Sequence, residues 1–296
     1  MTAPGLYPDL DEAVYHHDPA LSASGAKRLL PPNCPALFKH DRDNGGRPNK
    51  RAFDLGHAAH AAVLGVGLEV VVVHKTTRDK QSVPAEDYAT KSAQEHRDAI
   101  YAEGKCPILA KEKSAVDAMA LEIRRHPIAS KLLDPDHGRP EVSVFWHDDK
   151  RGIDRRARFD WLTDSDGGRI VVPDYKTTNS AEPHAFARSI FSFGYDIQAV
   201  FYTDAIRAAE LAEDVEFLFI AQETTPPYLI TVHELDFASL LLGRARVDAA
   251  CDVFRECTRT GIWSGYSDGV ELVAPPAWLA ALYGLDDMEM VAPAWT

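Results

Sequence analysis

Two acidic residues and one lysine on neighbouring strands constrain this chain more than any other feature. Arg158-Phe159-Asp160 lies in one strand-like run, Thr163-Asp164-Ser165-Asp166-Gly167-Gly168 makes a turn, and Val171-Val172-Pro173-Asp174-Tyr175-Lys176-Thr177-Thr178 forms a second run containing Asp-x-Lys. Side chains on a strand alternate between faces, so Asp174 and Lys176 share one face and a partner strand can set Asp160 beside them. Two carboxylates around a single ammonium repel each other. A divalent cation held by oxygen ligands relieves that repulsion. Carboxylate-held metal with a positioned lysine is suited to phosphodiester hydrolysis.

The rest of the chain fits an α/β domain. With 296 residues it can bury a large core. No apolar run reaches the length of a membrane-crossing helix, and the first residues lack a basic region followed by an apolar one, so no secretory signal is expected. Cys34, Cys106, Cys251 and Cys257 are scattered, which suits a reducing cytoplasm. The net charge of −13 argues against a general nucleic-acid coat protein, because phosphate neutralisation supplies much of such binding. A local basic track remains compatible with it.

Read in order, residues 1–20 form an extended arm, and Ser22 or Ser24 caps a helix that Pro31-Pro32 ends. A basic loop spans Lys39 to Arg51, with Gly45-Gly46 inside it. Phe53 to Leu64 reads as an Ala-rich helix on which Gly56 and His60 share a face, while His57 falls on another. Helices are expected over Ala85–Gly104 and Ala110–Leu133. Strands follow at Glu141–Trp146, Gly152–Leu162 and Arg169–Thr177, the last carrying Pro173, which fits an edge strand or a bulge. Helices over Pro183–Phe193 and Asp196–Leu211, strands over Val215–Ala221 and Tyr228–His233, and a long helix over Phe237–Thr260 complete the pattern. Gln198 and Tyr202 stand one helical turn apart, so both polar tips can reach one site. On the Gly152–Leu162 strand, Asp154, Arg156, Arg158 and Asp160 share a face, opposite Arg155.

Taken in order, Gly56-x-x-x-His60, Asp160, Asp174-x-Lys176 and Gln198-x-x-x-Tyr202 resemble the PD-(D/E)xK nuclease superfamily, and more closely the exonuclease VIII (RecE-type) branch with its RecB-like nuclease domain. The stretches Leu21-Ser22-Ala23-Ser24-Gly25-Ala26-Lys27-Arg28-Leu29, Leu55 to Gly65 and Ala221 to Tyr228 fit the same pattern. Each motif alone is weak; several in order are strong together. The resemblance implies a restriction-endonuclease-like core, a central mixed β-sheet flanked by helices with helical insertions. It covers a single domain over 1–296, with an arm and loop at 1–50, the core at 51–262 and a tail at 263–296.

It also implies a metal-dependent exonuclease that resects linear duplex DNA for recombination or phage DNA processing. Mg2+ or Mn2+ is held by His60, Asp160, Asp174 and the backbone carbonyl of Tyr175. Lys176 then orients the attacking water and supports charge on the phosphate, while Gln198 and Tyr202 position the site. Asp174 stands where many relatives have Glu. Arg156 and Arg158, beside Asp160, are candidates for DNA contact. A homo-oligomer and a partner that anneals single strands follow from the resemblance alone. Some relatives bind an iron–sulfur cluster through one early and three late cysteines; here position 248 is Asp, so the set is incomplete and no cluster is expected. A non-cleaving DNA-binding or assembly subunit, or a restriction-type endonuclease, are the competing functions. Taken alone, His60 reads as a buried helix histidine and Asp174/Lys176 as a surface ion pair. The apolar Val171-Val172 before them favours a buried strand, where such a pair needs a reason.

Overall fold

The computed structural model describes residues 1–44 and 54–284. Gly45-Gly46, Arg47, Lys50 and Arg51 of the basic loop, and the tail from residue 285, lie outside the described residues.

The chain opens with strand β1 (Gly5–Tyr7), helix α1 (Glu12–His17), strand β2 (Leu21–Ser22), helix α2 (Ala23–Leu29) and helix α3 (Pro35–Asp43). Ser22, one of the two expected caps, accepts the Gly25 N–H at 3.1 Å and starts α2. Helix α4 (Asp54–Leu64) follows, then strands β3 (Val70–Val72), β4 (His74–Thr76) and β5 (Ser82–Pro84). Helix α5 (Lys91–Ala102), strand β6 (Cys106–Ile108), helix α6 (Ala110–Arg125) and helix α7 (Ala129–Leu132) complete the first half. The Thr90 hydroxyl accepts the Ala93 N–H at 3.3 Å, so α5 begins later than the expected Ala85. The single helix expected over 110–133 is broken around Pro127, which has no N–H for the helix ladder.

The second half holds the long strands β7 (Gly138–Asp148), β8 (Ile153–Thr163) and β9 (Arg169–Thr178). Helices α8 (Pro183–Phe193) and α9 (Tyr195–Ala208), strands β10 (Asp214–Glu223) and β11 (Ile230–Glu234), and helices α10 (Phe237–Thr260) and α11 (Ala277–Leu282) end the described chain. The architecture is α/β, with a central mixed sheet flanked by helices.

The sheet divides into two hydrogen-bonded blocks. In one, β7 pairs antiparallel with both β8 and β1, and β2 runs parallel to β8. In the other, β9 runs parallel to β10, and β11 is antiparallel to β10. Strands β8 and β9 lie in contact, but side chains rather than a ladder join them. The Thr163 hydroxyl donates to the Val171 carbonyl at 2.7 Å, and the Tyr175 N–H donates to Asp160 Oδ2 at 3.2 Å. The expected three-strand meander is therefore a β7–β8 hairpin beside β9, whose ladder partner is the parallel strand β10. Pro173 has no N–H to give, and β9 is the end strand of its own block.

The sequence reads residues 1–20 as an extended arm; instead β1 joins the sheet and α1 packs on it. Tyr7 and Tyr15 both close edge-on against Phe145 of β7, with ring centroids 5.8 and 6.0 Å away. The largest core cluster includes Phe159, Phe186, Phe201 and Phe219, all fully buried, between the sheet and α8, α9 and α10. Burying each ring contributes roughly 1.5–3 kcal/mol. Helix α10 reaches α9 at Gly243, where a Cβ would fall 2.6 Å from the Asp196 carbonyl oxygen. Among the described residues no helix is long and apolar enough to cross a membrane.

Candidate active site

Helix α4 lies against β9, where a Cβ on Gly56 would come 3.4 Å from the Thr177 hydroxyl. One turn later His60 points at the end of β8, its Nε2 3.1 Å from Asp160 Oδ2. That same carboxylate oxygen accepts the Tyr175 N–H from β9. Alternation along β9 turns Asp174 and Lys176 to one side, with Lys176 Nζ 2.5 Å from Asp174 Oδ2. The contact has ion-pair distance, but Asp174 Oδ2 makes no hydrogen bond of proper geometry. From α9, Gln198 Nε2 donates to Asp174 Oδ1 at 2.7 Å. His60, Asp160, Asp174, Lys176 and Gln198 thus converge, drawn from two strands and two helices.

The charges are uneven. Asp174 is 1 % exposed. Its burial, reinforced by the charge of Asp160, pushes its carboxyl up to about 6 despite Lys176. Burial works the same way on Asp160, but His60, Lys176 and the Tyr175 N–H outweigh it and hold that carboxyl at about 2. His60 is raised: burial opposes the charge, and Asp160 more than compensates. Lys176 is raised as well, since Asp174 and Asp160 outweigh its burial. The pattern is two carboxylates whose environments drive their affinities for protons apart, which marks functional sites.

A cleft of about 670 Å³ opens over this cluster, lined by His57, His60, Glu141, Arg158, Lys176 and Tyr195, with Glu12 and His16 of α1 at its side. His57, read from its helix face as lying outside the site, is exposed and lines the cleft. Tyr202 does not line it. Its ring packs edge-on against Phe159 and Phe217, at 5.0 and 5.9 Å, in the layer beneath. The Tyr175 hydroxyl donates to Gln222 Oε1 at 2.6 Å, and buried Gln222 Nε2 donates in turn to the Met119 carbonyl at 3.0 Å, which fixes β9 from behind. Glu223 accepts the Ala181 N–H at 3.0 Å and so holds the turn into α8.

The hairpin arginines do different work from the DNA contact expected of them. Arg156 is buried, its guanidinium over the Tyr15 ring at 4.9 Å, and it donates to the Asp18 and His16 carbonyls. A guanidinium with its donors on backbone carbonyls and its face on a ring is not presented to a phosphate. Arg158 donates to the Leu10 carbonyl at 2.6 Å and pairs with Glu141 at 2.7 Å, yet it still lines the cleft. Together they strap the segment around α1 to β8.

Two more residues stand at the site: Glu141, which the sequence offers as a supporting or structural residue rather than a ligand, and Lys27, to which it assigns no role. Glu141 sits across the β7–β8 pair near Asp160, at a backbone φ of +57°, unusual for a residue with a Cβ, and burial raises its carboxyl. Its neighbour Pro140 was the available signal, since proline interrupts strand pairing. Lys27 of α2 donates to Gln198 Oε1 at 3.3 Å. Burial, then the charge of Lys176, pushes its ammonium down to about 7. The only hint was a lysine between buried Ala26 and the end of a short Ala-rich helix.

Among the described residues no three His, Cys, Asp or Glu side chains converge as a ready-made cation cage. His60 closes on Asp160, and Lys176 on Asp174, instead. The donor chemistry nevertheless fits a divalent cation: two carboxylates, an imidazole and the neighbouring peptide carbonyl. One buried carboxylate oxygen also lacks a proper hydrogen bond.

Residues 22–276 match the model of a family described as "PDDEXK-like domain of unknown function (DUF3799)". No curated protein matches the chain. Among solved structures, the chain is similar to a crystal structure of a "Putative exonuclease" from Eubacterium rectale, with a TM-score of 0.59 and 14% sequence identity over 93% of this chain and 98% of that one. At that identity the likeness speaks to the fold, which is restriction-endonuclease-like. SSO0001 aligns over 81% of this chain and 78% of its own at 12% identity, with a TM-score of 0.35 that carries no argument.

Proposed function

Because the chain belongs to the PDDEXK-like family DUF3799, whose fold is that of nucleases, we propose that it is a metal-dependent deoxyribonuclease of the exonuclease VIII (RecE) type, resecting linear duplex DNA. The observation that carries this reading is the convergence of Asp160 and Asp174 on His60 and Lys176, which line one cleft, with Asp174 buried and pushed up to about 6. Mg2+ or Mn2+ would bring further positive charge to Asp174, whose buried Oδ2 makes no hydrogen bond of proper geometry.

His60, Asp160, Asp174 and the Tyr175 carbonyl are the groups that would hold the cation. A divalent ion there lowers the pKa of a bound water toward neutrality and polarises the phosphoryl oxygen. Asp174 and Asp160, as the carboxylates of the site, would orient the attacking water. Lys176, kept protonated by its two carboxylate neighbours, faces the cleft and stabilises charge on the scissile phosphate. Gln198 holds Asp174 in place through its Oδ1, and Tyr202 supports that arrangement from the core. Arg158 is the cleft-lining arginine that can meet the DNA backbone. A homo-oligomer, a single-strand annealing partner and a role in recombination or phage DNA processing rest on the resemblance of the motifs.

The test is digestion of linear and of covalently closed circular duplex DNA, each with Mg2+ or with chelator. Nucleotide release from linear DNA only, and only with Mg2+, supports the proposal. Cutting of the closed circle makes the protein an endonuclease instead. Binding of either DNA without cleavage makes it a scaffold on a nuclease fold.

A further inference from the structure

We propose that Lys27 is a positioning residue of this centre, acting through Gln198 to decide which oxygen of Asp174 is tied down and which is left to Lys176 and a cation. The proposal rests on the cleavage reading above and adds a residue that does not line the cleft.

The argument starts from what each group can do. Gln198 stands between Lys27, whose Nζ lies 3.3 Å from Oε1, and Asp174, whose Oδ1 accepts from Nε2 at 2.7 Å. An ammonium only donates and a carboxylate only accepts, so a single orientation of the amide satisfies both neighbours. Turned over, the amide would point its oxygen at a carboxylate and its NH2 at an ammonium. Burial and then the charge of Lys176 push the Lys27 ammonium down, and the charges of Asp174 and Asp196 work against that shift.

The fold makes room for this lysine. Gly194 joins α8 to α9 at φ +66°, and a Cβ there would fall 3.2 Å from Lys27 Cγ and 3.4 Å from Cδ. The lysine stem therefore runs across the bare backbone at the point where the helix bearing Gln198 begins. The Tyr195 ring next to it has Lys27 Nζ and Lys176 Nζ both 5.1 Å from its centroid. One ring thus serves both ammonium groups, a favourable arrangement for cations. Lys27, Gln198, Asp174, Lys176 and Tyr195 close into a circuit whose outer member is Lys27.

The experiment compares the wild-type protein with Lys27→Met, Lys27→Gln, Gln198→Ala and the double variant Lys27→Met/Gln198→Ala. Two quantities are measured: kcat and KM on linear duplex DNA with Mg2+, and the Mn2+ dissociation constant by calorimetry without DNA. Partners behind metal ligands commonly affect metal affinity or activity roughly 10–100-fold. Lys27→Met is expected to lower kcat and weaken Mn2+ within that range while leaving KM for DNA unchanged, and the double variant to be no worse than Gln198→Ala. Lys27→Gln keeps a donor beside Gln198 and should recover part of both losses; it also serves as the test if the Met variant does not fold. Losses that multiply in the double variant, or a Lys27→Gln protein as impaired as one with no donor, overturn the proposal. Wild-type Mn2+ binding with this coupling but no cleavage would overturn the nuclease reading and leave the positioning role standing.

Discussion

Strand β8 buries charge at both of its ends, on opposite faces and in opposite ways. Near its start, Arg155 is 4 % exposed and lies over Phe201 and Trp146, with its centre 4.1 and 4.8 Å from the two rings. Its guanidinium reaches Asp148 and Asp204, and Asp204 is gripped again by both terminal nitrogens of Arg244. Arg151 adds contacts to Asp148, Asp248 and Asp252. Near the end of the strand, Asp160 is answered by His60, while Asp174, driven up to about 6 by its burial and further by Asp160, has Lys176 as its ionic partner. The first cluster gives each carboxylate a guanidinium partner, and Asp204 a two-pronged one from Arg244. The second keeps Asp174 buried, with its carboxyl pushed up to about 6 in spite of Lys176. In the first cluster the carboxylates are held by guanidinium groups; in the second a fully buried carboxylate has an oxygen without a well-formed hydrogen bond, and that is where a cation and chemistry would enter.

The comparison breaks most readily at the level of rate. Lys176→Ala or Asp174→Asn should cut nucleotide release from linear DNA by roughly 10²–10³-fold or more, the range expected when a charge-stabilising group is lost. Asp204→Ala, if folded, should keep its kcat. A comparable drop in kcat for Asp204→Ala would erase the distinction between the clusters.

Stability should show the reverse ranking. Removing one member of a buried ion pair costs about 3–5 kcal/mol, because the other charge is stranded. Arg155→Ala and Asp204→Ala should fall in or just below that range in urea unfolding, since the Asp204 side chain keeps 15% exposure. Gly243→Ala separates packing from charge in the same region: a Cβ pressed onto the Asp196 carbonyl should cost about 1–3 kcal/mol with no ionic partner removed. Unaltered stability in Gly243→Ala would mean that α10 shifts on α9 without penalty.

The smallest expected effect concerns DNA affinity. Arg158 lines the cleft, so Arg158→Ala should lower the salt slope of DNA binding in Ca2+ by about one unit. Arg156 is committed to the Asp18 and His16 carbonyls, so Arg156→Ala should leave that slope alone. An equal change in both would return Arg156 to the surface that meets DNA.

These contrasts also show what a sequence can and cannot reveal. Local periodicity was enough for α8 and α10, whose bounds coincide with the expected Pro183–Phe193 and Phe237–Thr260. Strand alternation placed Asp174 and Lys176 on one face and Arg155 opposite Arg156, because that periodicity is a property of the backbone. It could not tell which arginines are consumed inside the fold. Arg156 and Arg158 are occupied by a segment around α1 that reads as an extended arm, since two tyrosines spaced too widely for a periodic signal anchor it to Phe145. Lys27 was invisible for the same reason: its partner Gln198 lies 171 residues away. His57 was set aside on helix geometry, yet the cleft wraps far enough round α4 to include it.

The central claim is that the crowded carboxylates form a cation site, and Mn2+ calorimetry on four proteins tests it most directly. The wild type and Asp204→Asn should bind Mn2+ alike. Asp160→Asn and Asp174→Asn should each bind it far more weakly, and Mn2+ should raise the unfolding temperature only of the proteins that bind it. Equal Mn2+ affinity in all four proteins would contradict the account, because the ion would then sit somewhere other than between Asp160 and Asp174.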